Sequence, residues 1–297
     1  MASGDVLAAV RQRYGLDVTA ATALSGGIES SVVRATGDAC SVVIRASPTW
    51  RTLDELSWAY ELASYAATLC PEALAPLRAA DGALAFEHDG HVVSVFPYVE
   101  GRALDRTNAL ERDAAATLLA SLHRVLPSWP AARARPWSGP GAPDLEPQRD
   151  PAELRDPALD DRVARLLERF RPALTHGDYY RGNVRCEQHR IIALFDWDDA
   201  CYWTLENELA WSVWEFSQAD DAATLDLDRA NRFLDTYAAC GGPVSVDDRS
   251  FIVPFIRDDI RTEIREAIAL VELGGETDAA YVERSYAAFA NLAGVRL

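Results

Sequence analysis

The stretch His176-Gly177-Asp178-Tyr179-Tyr180-Arg181-Gly182-Asn183 places a carboxylate five residues before a carboxamide. Thirteen residues after Asn183 comes a second carboxylate, Asp196. It follows the apolar run Ile191-Ile192-Ala193-Leu194-Phe195 and opens Asp196-Trp197-Asp198-Asp199. An apolar run of that length reads as a buried strand, which would carry Asp196 to its end. Asn183 offers a neutral oxygen and Asp196 a charged one, the donor types that suit Mg²⁺. Asp178 can fill the role of a carboxylate near a hydroxyl.

This pattern resembles the aminoglycoside phosphotransferase and choline kinase superfamily, the small-molecule branch of the protein-kinase-like fold. His176, Gly177, Asp178 and Asn183 match its H-G-D-x-x-x-x-N motif, and Asp196, Trp197, Asp199 and Ala200 match its later D-W-x-D/E-A motif. The resemblance implies an α+β, two-lobed kinase-like fold. Residues 1–97 would form a nucleotide-binding lobe on a small antiparallel β-sheet. Residues 98–297 would form a mostly helical lobe for catalysis and acceptor binding. It also implies ATP or GTP as phosphoryl donor, Mg²⁺ held by Asn183 and Asp196, and Asp178 as the catalytic carboxylate.

Upstream of the motif, Leu24-Ser25-Gly26-Gly27-Ile28 sets small residues between two strand-like runs. Glycines there let backbone N–H groups come close to phosphates, and Ser25, Gly26 and Gly27 resemble the family's nucleotide-covering loop. The next strand-like run ends in Val42-Val43-Ile44-Arg45. The chain contains no lysine, so Arg45 stands where kinases usually carry the phosphate-anchoring Lys. A guanidinium can do this as a planar fork that stays ionised. The family places a Glu on the following helix as partner to that cation. Glu61 fits best, with Glu55 the runner-up. Val95 to Tyr98 resembles the hinge strand on which adenine docks.

The charge of −17 is uneven. Residues 1–97 carry 6 Arg and 11 acids, residues 98–195 carry 15 and 14, and residues 196–297 carry 8 and 21. Such an acidic surface repels nucleic acid and anionic membrane. No 18-residue apolar run is present, and the five cysteines form no Cys-x-x-Cys pair. A cytoplasmic protein with reduced thiols is expected, with no nucleic-acid or membrane partner. Residues 127–151 hold 7 of the 15 prolines and read as a loop that could serve as a lid.

The run from Pro254 to Leu273 reads as a helix with Ile256, Ile260, Ile264, Ile268 and Val271 in one apolar stripe. Asp259, Glu263 and Glu266 share a separate stripe about 60° wide. A solvated face would account for it. The functional alternative is a cation-binding wall, similar to the acidic acceptor pocket of aminoglycoside-modifying relatives, with Asp198 and Asp199 adding to it. The expected acceptor is then a small hydroxylated cation of aminoglycoside type, with antibiotic resistance the expected setting. A kinase of a neutral or zwitterionic metabolite (an amino alcohol, a nucleoside or a macrolide) stays open. A protein kinase is disfavoured, because no Asp-Phe-Gly and Ala-Pro-Glu segment follows Asp196.

Overall fold

A computed structural model of the chain describes residues 4–24, 30–38, 40–130 and 145–297. Ser25, Gly26 and Gly27 of the expected phosphate loop lie outside the described residues, as do residues 131–144 of the expected lid.

Helix α1 (Gly4–Tyr14) buries Val6 and Val10 and ends at Gly15, whose φ is +65°. Five strands follow: β1 (Ala20–Ala23), β2 (Ser31–Thr36), β3 (Ser41–Ala46), β4 (Ala85–His88) and β5 (His91–Pro97). They form one antiparallel sheet in the order β1-β2-β3-β5-β4. The β4–β5 hairpin turns at Asp89 and Gly90, both with positive φ, the twist that a two-residue hairpin demands. Alternation along β3 buries Val42 and Ile44 and leaves Arg45 at the strand's end, half-buried.

Between β3 and β4 lies α2 (Leu53–Ala67). Thr52 caps it: its hydroxyl accepts from the Glu55 amide, and the Glu55 carboxylate accepts from the Thr52 amide. Such a reciprocal cap stabilises a helix start by about 1 kcal/mol. Tyr60, Leu56, Leu62 and Ala63 are fully buried along the helix.

After Pro97 the chain becomes mostly helical. Helix α3 (Ala109–Val125) and α4 (Pro157–Arg169) lead to four short strands: β6 (Pro172–Thr175), β7 (Val184–Glu187), β8 (Arg190–Leu194) and β9 (Cys201–Thr204). β6 pairs with β9, and β7 pairs with β8. Helices α5 (Leu205–Ser217), α6 (Leu227–Ala239), α7 (Ile252–Glu272) and α8 (Ala279–Asn291) complete the fold. Ile256, Ile260 and Ile264 of α7 are buried as the stripe requires, but Val271, expected to continue it, is 50% exposed. The arginines beside that stripe are committed to the chain ahead of α4: Arg257 pairs with Asp156 and Arg265 with Asp150. Among the described residues no helix is long and apolar enough to cross a membrane.

Candidate active site

Two hairpin-like connections meet to build the site. β6 runs into residues 176–183, and β8 runs into residues 195–200, which lead back to β9. β6 pairs with β9 and β7 with β8, as two separate two-stranded sheets. The Phe195 amide donates to the Asn183 carbonyl at 3.0 Å and joins the two loops directly. The apolar run 191–195 therefore does what its pattern implies and delivers Asp196 to the end of a strand.

Gly177 has φ +85°, and a Cβ there would lie 2.0 Å from the Asp199 carbonyl oxygen. Both the left-handed backbone and the close approach require glycine. The Gly177 amide donates to Glu208 Oε1 at 2.7 Å. The other oxygen of Glu208 meets His123 Nε2 at 2.9 Å, and His123 Nδ1 meets the Tyr237 hydroxyl at 2.7 Å. All three side chains are buried, so α3, α5 and α6 together fix the start of the loop. His123 is a hydrogen-bonded link in this support. The Glu208 carboxylate thus reaches both partners.

Asn183 Nδ2 donates to the Asp178 carboxylate at 2.8 Å and to its carbonyl at 3.0 Å. Burial, then the nearby Asp199 and Asp196, raise the Asp178 carboxyl well above its ordinary range; the Asn183 donor opposes them. Asp196 adopts φ +65°, a left-handed conformation that costs a non-glycine residue energy and recurs at functional sites. Asn183 and Asp196 present hard oxygen donors that fit Mg²⁺. Among the described residues no group of three or more His, Cys, Asp or Glu could hold a metal by itself. The pair therefore fits the mode in which Mg²⁺ takes one or two protein ligands and substrate phosphates.

Arg45 reaches across from β3. Its Nη1 lies 2.6 Å from Asp196 Oδ1, its Nη2 3.0 Å from Asp198 Oδ2, and its Nε donates to Ser30 Oγ at 3.1 Å. Burial works against the charge, but Asp196 and Asp198 outweigh it and hold the guanidinium well above its ordinary value. Arg51 ion-pairs with Asp199 and donates to the Asp198 carbonyl at 3.1 Å. The Tyr60 hydroxyl donates to Asp198 Oδ1 at 3.0 Å.

Several expectations are corrected by these contacts. Glu61 does not reach Arg45: it is half-exposed and pairs with Arg78 at 2.8 Å. One residue of helix rotation, about 100°, turns Tyr60 inward and Glu61 outward. Glu55 is occupied by the Thr52 cap. Asp198 and Asp199 do not belong to the acidic wall on α7; arginines of the sheet side hold them. Val95 lies inside the sheet, opposite Ile44, with its carbonyl accepting from the Leu77 amide. The Tyr98 amide donates to Ser41, and Arg34 stacks 3.8 Å from the centre of the Tyr98 ring. The Val95 carbonyl and the Tyr98 amide are thus already committed within the sheet lobe.

On α7, Asp259 and Glu266 lie near enough to Glu263 that both help to raise its carboxyl. Asp259 accepts from Asn207 at 3.0 Å, and Glu263 accepts from the Tyr281 hydroxyl. Glu215 of α5, which the sequence reading missed, joins them. Burial raises Glu215, and Glu215 in turn helps raise both Asp178 and Glu263. The signal for it was available: Glu215 follows Glu208 by seven residues, which returns to the same helix face.

Residues 20–242 match the model of the phosphotransferase enzyme family, so the chain belongs to that family. The expected resemblance and enzyme class are borne out by that match. An uncharacterised protein of Deinococcus radiodurans is 30% identical over 217 residues, 64% of this chain and 60% of that protein's length. Among solved structures, the chain is similar to an amicoumacin kinase solved with AMP-PNP and Ca²⁺ (TM-score 0.77, 15% identity, 98% of this chain and 93% of that one). It is also similar to a microcompartment-associated aminopropanol kinase (TM-score 0.72, 14% identity, 97% and 94%). A choline kinase of Streptococcus pneumoniae follows the same fold (TM-score 0.67, 18% identity, 98% of both chains). These likenesses establish the expected kinase-like fold.

Proposed function

We infer that this family member transfers a phosphoryl group from ATP or GTP to a hydroxyl of a small cationic acceptor, a polyhydroxylated amine of aminoglycoside type. The observation that carries the transfer is the meeting of Asp178 with Asn183 and of Asp196 with Arg45, which reaches across from β3 of the five-stranded sheet. Residues 1–97 contribute the nucleotide side and residues 98–297 the acceptor side. Asp178 accepts the acceptor hydroxyl's proton or orients that hydroxyl toward the γ-phosphate. Arg45 anchors donor phosphates with its fork of N–H groups. Asn183 and Asp196 would hold Mg²⁺, which neutralises phosphate charge when bound. The transition state of such transfers is loose, so placement and charge neutralisation matter more than base strength. Ser25, Gly26 and Gly27 are proposed to bind the donor phosphates. The reaction is proposed to take place in the cytoplasm.

The acceptor reading rests on Asp259, Glu263 and Glu266, now with Glu215. Their mutual repulsion is relieved by a bound cation. An amicoumacin kinase, an aminopropanol kinase and a choline kinase are among the structures similar to this chain, and those likenesses support the reading. A nucleotide-consumption screen over hydroxylated amines, nucleosides and macrolides tests the reading. The best acceptor should be cationic, and its KM should rise with salt and in Glu263→Gln/Glu266→Gln, with kcat little changed. A neutral best acceptor, or a KM indifferent to both changes, would hand the site to the neutral-metabolite alternative.

A further inference from the structure

We propose that Asp198 is the counter-ion that aims the phosphate-anchoring Arg45, and that helix α2 governs it through the Tyr60 hydroxyl rather than through a carboxylate of its own. This positioning role rests on the assignment of Arg45 as the phosphate anchor.

Arg45 has three committed directions. Nε is on Ser30, Nη1 on Asp196 and Nη2 on Asp198. The two carboxylates are not equivalent. Asp196 is the proposed metal ligand, and charge it gives to Mg²⁺ is charge it withdraws from Arg45. Asp198 has no such second duty in the proposed reaction. It is 2% exposed, whereas the Asp196 side chain is 30% exposed. Were Asp196 to hold a metal, Asp198 would still be paired with Nη2, and Nη1 would be the group available to a phosphate oxygen.

Asp198 is itself held from the sheet side. Tyr60 donates to Oδ1 at 3.0 Å and lies 3.2 Å from Ser94 Oγ of β5. Its fully buried ring packs edge-on against Phe96, with centroids 5.6 Å apart. Arg51 holds the Asp198 carbonyl from the β3–α2 connection. The usual arrangement in a kinase is a direct ion pair between the strand cation and a helix glutamate. Here the helix offers a phenol at that point and Glu61 faces Arg78. The carboxylate has moved from the helix to the loop after β8, and a hydroxyl connects the two. A shift of α2 would therefore reach Arg45 by way of Asp198.

The experiment measures nucleotide and nucleoside affinity, and the KM–kcat split, in Asp198→Asn, Tyr60→Phe, their combination, Glu61→Gln and Arg45→Ala. Asp198→Asn keeps an oxygen for Tyr60 but removes the charge. It should raise the nucleotide KM about thirtyfold or more, the scale on which one partner of a buried charge pair is lost. Tyr60→Phe should raise it about threefold, the worth of one hydrogen bond. The combination should be no worse than Asp198→Asn alone, because both act through one carboxylate. The acceptor KM and the affinity for adenosine or guanosine, which carry no phosphate, should stay at parent values, an outcome that general loosening of the fold does not give. Glu61→Gln should match the parent. If Arg45→Ala binds nucleotide like the parent, the assignment of Arg45 falls and this inference with it. If Arg45→Ala is impaired while Asp198→Asn and Tyr60→Phe bind nucleotide normally, or if Glu61→Gln is the variant that weakens binding, the inference alone is overturned.

Discussion

The two sides of the site treat negative charge in opposite ways. Beside the sheet, Asp196, Asp198 and Asp199 are met by the guanidinium groups of Arg45 and Arg51. Beside α7, Asp259 and Glu263 are met by an amide and a phenol, which are neutral. A carboxylate paired with arginine is a built piece of machinery and keeps its partner. A partly buried carboxylate with only neutral donors has its charge unmet, and that favours a cation from outside. The difference teaches that the acid count after residue 196 is not one feature but two. Net charge alone cannot separate them, because it does not say where the arginines of the other lobe reach.

Asp178 stands between the two sides, and its loss should have the largest effect. Asp178→Asn should lower kcat by roughly 10²–10⁴ while nucleotide affinity stays close to parent. Near-normal turnover would remove it from the chemistry and leave only the two flanking sides. A smaller contrast is expected within the sheet side. Asp196 brings a full charge to a metal and Asn183 only a dipole. Calorimetry with and without Mg²⁺ should find nucleotide binding weakened more by Asp196→Ala than by Asn183→Ala. An Asp196→Ala protein that keeps the parent's Mg²⁺ dependence would break the assignment.

The smallest effect concerns stability, and it tests the α7 side directly. Burial first, with Asp258 adding for Asp259 and with Glu215, Asp259 and Glu266 adding for Glu263, holds both carboxyls well above their ordinary range. The folded chain therefore binds protons that the unfolded chain would release. Stability from this source is complete below the unfolded values and is lost as pH rises through the raised ones. Asp259→Asn combined with Glu263→Gln should flatten the fall in Tm on going from about pH 5 to pH 8, by about 2–4 °C. A parent whose Tm does not fall over that interval would show that these carboxyls are already compensated.

The catalytic loop was legible because its signal is local. Asp178, Asn183 and Asp196 depend on spacing and on one apolar strand, and the structure brings them together as that spacing demands. Helix α7 was legible for the same reason: periodicity showed which residues share a face. What escaped depends on contacts far apart in the sequence. Tyr60 and Asp198 are separated by 138 residues, and nothing near Tyr60 marks its hydroxyl for use. A glutamate beside it looked more suited, but the rotation of α2 decides which residue points inward. Val95 misled differently. Its strand was correct, but sequence does not reveal that β5 is flanked on both sides by β3 and β4. Arg51 gave no hint at all, since an arginine before a helix is ordinary.

The arginine fork on β3 has a consequence outside catalysis. Every basic side chain in this protein is a guanidinium or an imidazole, and no side chain carries a primary amine. Acetylation and Schiff-base condensation with simple aldehydes act on lysine amines. Neither can erase the charge at Arg45 or at any ion pair described above. The amines of the proposed acceptor would be subject to those reactions, and the side chains holding its phosphoryl donor would not.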